Sequence, residues 1–264
     1  MAHLSGTFYS KTLARPVHYT AVLCNDNAWG TETNPHYKRE TKNVYLLHGY
    51  SGTDTDWFTN APLGDLANRF NVNFFMPAGE NSFYLDRPET GFKYCQYTGE
   101  EFIEYTRKTF GLSDKRENTV IGGLSMGGFG ALHTALAYPE TFCATLALSS
   151  ALITYGVKDM TPDMDNPVAN YAYYKAMFGE PSEIETSVNN PEVLVKNLVA
   201  QKREIPAIYM AVGTEDFLLE PNKRFKAFLD EQNVPVTFFT GPGVHDFVFW
   251  RAQLEAGLKW LLGE

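Results

Sequence analysis

Ser125 sits in Gly123-Leu124-Ser125-Met126-Gly127, with a glycine two residues to either side of a hydroxyl that could act as a nucleophile. A bare GxSxG arises by chance in about one chain in ten of this length, so its surroundings decide its meaning. The apolar run TVIGGL leads into it and the helical stretch GGFGALHTALAY leaves it, the strand–turn–helix order that lifts a serine clear of the backbone. Side chains at 123 and 127 would collide in so tight a turn, which accounts for the two glycines, and Gly128 leaves room for the helix to pack. The same turn sets the Met126 amide at the positive end of a helix. The plain alternative is a glycine-rich turn with an ordinary N-cap serine, and the rest of the chain has to decide between the two.

A serine hydroxyl is a weak nucleophile until a base takes its proton. Two histidines follow Ser125. His133 falls within the helix that leads away from the serine, where packing is the commoner role. His245 stands in GPGVHDFVFW, after a strand and a glycine-rich turn and before a terminal helix, where a loop can present its imidazole. IPAIYMAVGTEDF is an apolar strand ending at Gly213, and a carboxylate just beyond it could accept the second imidazole proton and set the tautomer. Asp216 and Glu215 both qualify. The second oxyanion donor is expected from the loop after an early strand, and NVYLLHGYSG supplies the Tyr50 amide, with His48 holding that loop by hydrogen bonds. Aromatic residues make up 14% of the chain. Several fall in loops of this kind, and Trp57, Tyr97 and Phe217 are expected to line the substrate pocket, which would favour short or flat acyl groups.

These groups need a frame that brings distant loops to one edge. Short apolar runs at 17–23, 43–49, 72–77, 118–125, 144–150, 206–213 and 234–241 alternate with helical stretches. That rhythm predicts a mostly parallel central sheet with helices on both faces, in the α/β class. Thr98 and Glu101 fit a capping box opening a helix that runs to about 110. From about 152 to 204 the rhythm breaks, and helical stretches near 168–178 and 191–202 suggest an insertion or lid over the carboxyl edge of a single domain spanning 1–264.

Composition narrows the partners. The 264 residues carry a formal net charge of -9, which repels nucleic acid and anionic membrane surfaces. There is no run of 18 apolar residues and no apolar h-region at the N-terminus, so a cytoplasmic location is expected. Cys24, Cys95 and Cys143 are widely spaced and lie in no metal-binding pattern, so neither a metal nor a cofactor is expected. The expected partner is a small-molecule ester, and homo-oligomerisation is compatible with the sequence.

HGYSGTDTDW (48–57), PAGENSFYLD (77–86), KREN followed by IGGLSMGGFGAL (115–132), GTEDFL (213–218) and GVHDFVFW (243–250) together resemble the esterase D-like α/β-hydrolases, in their tributyrin esterase and feruloyl esterase branch. The resemblance implies Ser125, Asp216 and His245 as a catalytic triad, with the Tyr50 and Met126 amides as oxyanion hole. It also implies a serine carboxylesterase acting on short-chain acyl or hydroxycinnamoyl esters through an acyl-enzyme. S-formylglutathione hydrolase-like thioesterases and acyltransferases of the same group are the alternatives. A non-catalytic hydrolase-fold binding protein is a further one, but it would be marked by a lost triad member, and all three are present.

Overall fold

The computed structural model describes residues 1–24, 31–87, 89–164 and 168–264. The chain begins with an antiparallel hairpin, β1 (Ala2–Ser10) and β2 (Arg15–Leu23), then β3 (Lys42–Leu47), α1 (Asp56–Asn60), α2 (Leu63–Phe70) and β4 (Val72–Pro77). A two-stranded ribbon, β5 (Asp86–Arg87) with β6 (Phe92–Lys93), precedes α3 (Tyr94–Gln96) and α4 (Phe102–Phe110). β7 (Thr119–Leu124), α5 (Met126–Ala137) and β8 (Ala144–Leu148) follow, then α6 (Thr154–Val157), α7 (Tyr171–Phe178) and α8 (Pro191–Ala200). The chain finishes with β9 (Ala207–Gly213), α9 (Leu219–Glu231), β10 (Val236–Gly241) and α10 (Phe247–Leu262).

Eight strands form one sheet in the order β1-β2-β4-β3-β7-β8-β9-β10. The six from β4 to β10 are parallel, whereas β1 and β2 are antiparallel additions at one edge. Each of the seven apolar runs lies on a strand of this sheet. Every residue of β4, β7 and β8 is buried, as strands covered on both faces require. Alternation then sorts side chains between the faces. Tyr45 and Leu47 of β3 join a core with α4, α5, α8 and α9, while Val44 and Leu46 join another with α2 and α10.

The register matters most for function. Leu47 pairs with Gly123, Leu124 with Leu148, Leu148 with Ala211, and Gly213 with Gly241. Five strands therefore end level, and the loops after β3, β7, β8, β9 and β10 emerge at one carboxyl edge.

Two local expectations need correction. Thr98 and Glu101 do not open a helix. Helical backbone begins at Tyr94, and a π-type turn over Tyr97–Glu101 joins α3 to α4. Asp86 supplies the cap by accepting from the Cys95 and Gln96 amides at 2.9 and 3.1 Å. Thr98 instead donates back to the Tyr94 carbonyl, and Glu101 accepts from Ser10 Oγ and the Lys11 amide in the β1–β2 turn. The segment expected as an insertion, 152–204, is of two kinds, and its residues 165–167 lie outside those described. At its end α8 packs against α5 and sends Val195 and Leu198 into the core, as the crossover between parallel β8 and β9 requires. The stretch with α6 and α7 is an excursion between β8 and α8 that adds no strand to the sheet among the described residues.

Candidate active site

Ser125 follows β7 and precedes the first turn of α5 with φ 55° and ψ -118°, a left-handed, strained conformation. Its amide donates to the Leu148 carbonyl at 2.9 Å, and its own carbonyl accepts from Phe129 and Ala151. A Cβ at Gly123 would fall 2.3 Å from the Gly127 carbonyl oxygen, and one at Gly127 2.3 Å from that of Leu47. Only hydrogen fits between the elbow and β3, so the close approach itself demands both glycines.

The Ser125 hydroxyl lies 3.0 Å from His245 Nε2, and His245 Nδ1 lies 2.9 Å from Asp216 Oδ2 and 3.1 Å from Oδ1. A carboxylate can only accept, so Nδ1 carries the imidazole proton and Nε2 is left to receive the one on Ser125. Burial pushes the Asp216 carboxyl up, but hydrogen bonds from His245, the Leu218 amide and Ser149 outweigh it and hold the group below the ordinary range. The imidazole stands between the ring of Phe217, 4.5 Å away, and the indole of Trp250, which meets it edge-on at 4.8 Å. Trp250 Nε1 in turn donates to Ser149 Oγ at 3.0 Å, so Ser149 joins the indole to the acid. No motif announces either residue.

Glu215, the other carboxylate that the sequence leaves open, faces elsewhere. Its Oε2 accepts from the Gly243 amide at 2.7 Å and its own amide donates to the Gly243 carbonyl at 3.1 Å. Gly213 presses on the same residue, where a Cβ would meet the Gly243 oxygen at 2.0 Å. The loops after β9 and β10 are thus clipped together backbone to backbone, which sets the spacing of Asp216 and His245.

On the other side of Ser125, His48 is buried, at 1% exposure. The Gly79 amide donates to its Nε2 at 2.8 Å, so its Nδ1 carries the proton and donates to the Gly49 carbonyl at 2.8 Å. That carbonyl also accepts from Gly52 at 3.1 Å, closing a turn in which Ser51 has φ 59°. A trans peptide points its N–H opposite to its C=O. Fixing the Gly49 oxygen therefore aims the Tyr50 amide the other way. The Met126 amide, at the start of α5, has no acceptor within its own helix. Among the described residues neither amide engages a hydrogen-bond acceptor.

The aromatic expectations divide. Trp57 does not line a pocket: it is 1% exposed, its Nε1 donates to the Leu47 carbonyl at 3.0 Å, and it braces the end of β3. Tyr97 is fully buried among Phe8, Tyr94 and Phe102 in the core beneath the ribbon. Position in a loop says nothing of the direction a ring faces, and both turn inward for the area they bury. Phe217 is 73% exposed against His245. Tyr173, from the excursion, meets Tyr50 edge-on at 5.7 Å, and the sequence marks it only by the run YAYY at 171–174 in an otherwise polar stretch. His133 is buried, with Nε2 donating to the Val188 carbonyl at 2.9 Å, and burial lowers its pKa to about 4.

Residues 29–261 match a family described as "Putative esterase". An acetyl esterase of Caldicellulosiruptor saccharolyticus is 39% identical over 99% of this chain and 98% of its own. Among solved structures, S-formylglutathione hydrolase from Staphylococcus aureus is 27% identical with a TM-score of 0.83, covering 99% of this chain and 98% of its own. A ferulic acid esterase is 26% identical with a TM-score of 0.75, covering 98% of this chain and 97% of its own. With a sheet of this order, a strained serine between β7 and α5 and a match over nearly the whole chain, the protein is an α/β-hydrolase that belongs to the putative esterase family.

Proposed function

We propose that Ser125, His245 and Asp216 hydrolyse small carboxylic esters through an acyl-enzyme. The observation that carries this reading is the unbroken hydrogen-bonded path from Ser125 Oγ through His245 to a buried, ionised Asp216. His245 Nε2 takes the hydroxyl proton as Oγ attacks the ester carbon, and the carbonyl oxygen gains its charge between the Tyr50 and Met126 amides. The Asp216 carboxylate stabilises the imidazolium that forms. His245 then returns the proton to the leaving alkoxide, and water repeats the sequence to free the acid. One oxyanion donor of this kind supplies about 2.7–4 kcal/mol in a well-studied hydrolase.

The acyl group is short or flat on this reading. Support comes from the acetyl esterase and ferulic acid esterase among the similar proteins, and from aromatic faces at Tyr50, Tyr173 and Phe217 around the serine's loops. Thioester hydrolysis is the second reading, supported by the similarity to the S. aureus S-formylglutathione hydrolase. A kcat/KM panel of p-nitrophenyl esters from C2 to C12, methyl ferulate and S-formylglutathione separates them. We expect a maximum at C2 to C4 with ferulate turned over. A maximum at C8 or beyond without ferulate turnover would sink the short-acyl reading, and a hundredfold preference for the thioester would install the second. Ser125→Ala should lower kcat by roughly 10⁶, as loss of the nucleophile does in subtilisin, with the fold intact. Retention of a tenth of wild-type activity would end the triad assignment.

A further inference from the structure

We propose that Tyr173, carried across on α7, is the specificity-determining wall of the acyl pocket, and that Asn81 locks it to the oxyanion turn. The inference rests on the triad reading above. Asn81 is bonded from both directions: its backbone carbonyl accepts from the Tyr173 hydroxyl at 2.7 Å, and its Oδ1 accepts from the Ser51 amide at 2.7 Å. The Tyr173 ring stands edge-on to Tyr50 at 88° and lies 6.4 Å from Phe83. Its own amide is held by the Asn170 side chain at 3.0 Å, which fixes the first turn of α7.

The shelf on which this ring rests is rigid. Glu80, Phe83 and Tyr84 all take positive φ, at 48°, 52° and 54°, a conformation that persists only where surrounding contacts over-determine it. Those contacts are present. Ser82 Oγ donates to the Gly79 carbonyl at 2.6 Å, the Tyr84 hydroxyl donates to the His48 carbonyl at 3.0 Å, and Gly79 is bonded to His48. A wall seated on such a shelf discriminates by length, because it cannot yield cheaply to a longer chain.

Chemistry assigns the side. His245 must hand its proton to the leaving alkoxide, so the alcohol lies by His245 and Phe217, on the loops after β9 and β10. The oxyanion occupies the two amides, which leaves the acyl chain the remaining direction. Tyr173 meets Tyr50, Asn81 and Phe83, all on the bank formed by the loops after β3 and β4.

The test compares wild type, Tyr173→Ala and Tyr173→Phe on two substrate series, one varying the acyl chain (p-nitrophenyl acetate, butyrate, octanoate) and one varying the alcohol (methyl, butyl, octyl acetate). Tyr173→Ala should raise the octanoate-to-acetate ratio of kcat/KM tenfold or more and shift the octyl-to-methyl ratio less than twofold. Tyr173→Phe keeps the ring but gives up the bond to Asn81 and should raise the acyl ratio about threefold, an unchanged ratio overturning the lock, whereas a purely structural role would move melting temperature and leave both ratios alone. If the alanine variant does not fold, Tyr173→Leu should shift the acyl ratio in the same direction. An acyl ratio within twofold of wild type, or a change confined to the alcohol series, overturns the assignment. A wild-type enzyme that leaves p-nitrophenyl acetate intact would instead bring down the triad reading, which separates the two failures.

Discussion

The loop after β3 and the loop after β10 each reach the same serine and each carry a histidine, and they use it in opposite ways. His48 has both nitrogens bonded to backbone groups of Gly49 and Gly79 and is sealed from solvent, where burial lowers its pKa. His245 bonds one nitrogen to a carboxylate and turns the other to a hydroxyl. A backbone amide cannot give up its proton at neutral pH, but a hydroxyl whose oxygen bonds to an ester carbon can. On the proposed mechanism, what separates a base from a brace is therefore the partner at Nε2. His133, whose two nitrogens face the Val188 carbonyl and the Cys95 thiol, falls with the braces.

The largest effect tests the partner at Nδ1. Asp216→Asn should lower kcat by roughly 10⁴, because an amide at that position favours the wrong imidazole tautomer. Glu215→Gln, which keeps an acceptor for the Gly243 amide, should cost only a fewfold. Steady-state kinetics on p-nitrophenyl acetate decides, and the reverse ranking would make Glu215 the acid.

Next comes stability of the buried braces. His133 titrates at about 4 when folded and near 6.5 when free, so between these values the unfolded chain binds the extra proton and stability falls as pH falls. The full contribution is present above 6.5. On going from pH 7 to pH 4 the wild type should lose about 3 kcal/mol more than His133→Phe in urea melts, from ~1.4 kcal/mol for each pH step. Equal losses would mean that His133 protonates without penalty in the fold.

The third is the brace nearest the chemistry. His48→Leu frees the Gly49 carbonyl and unfixes the Tyr50 amide, and kcat should fall about 10²-fold, the lower range for one oxyanion donor. KM for the acetyl ester should change far less. A variant with unchanged kcat would show that the Gly49–Gly52 turn holds the amide unaided.

Most of this was legible in the chain because the decisive signals are local. The apolar runs 43–49, 72–77 and 118–125 mark doubly covered strands, and the order of Ser125, Asp216 and His245 follows strand ends that the register later levels. β1 gives no such signal because AHLSGTFYS lies at the sheet's edge, mostly exposed, and carries no apolar run. The Thr98 capping box misled because the true cap, Asp86, reaches Tyr94's helix from the neighbouring ribbon, and a rule that reads four consecutive residues cannot see it. Trp57 and Tyr97 misled for a related reason, since sequence reports that a ring is present and tertiary packing decides where it points. Tyr173 lies in the excursion, where nothing in the period of the sequence says what it will cover.

The left-handed backbone of Ser125 carries a consequence for the history of such chains. A non-glycine residue held there costs on the order of 1–3 kcal/mol, and glycine alone would relax it. With Ser125 as the proposed nucleophile, folding and reactivity pull position 125 toward different residues, and only continued demand for the reaction retains the hydroxyl. A lineage released from that demand would be expected to drift to glycine at the elbow early, gaining heat resistance as it lost turnover, while the collars at Gly123 and Gly127 stayed unchanged because the fold itself requires them.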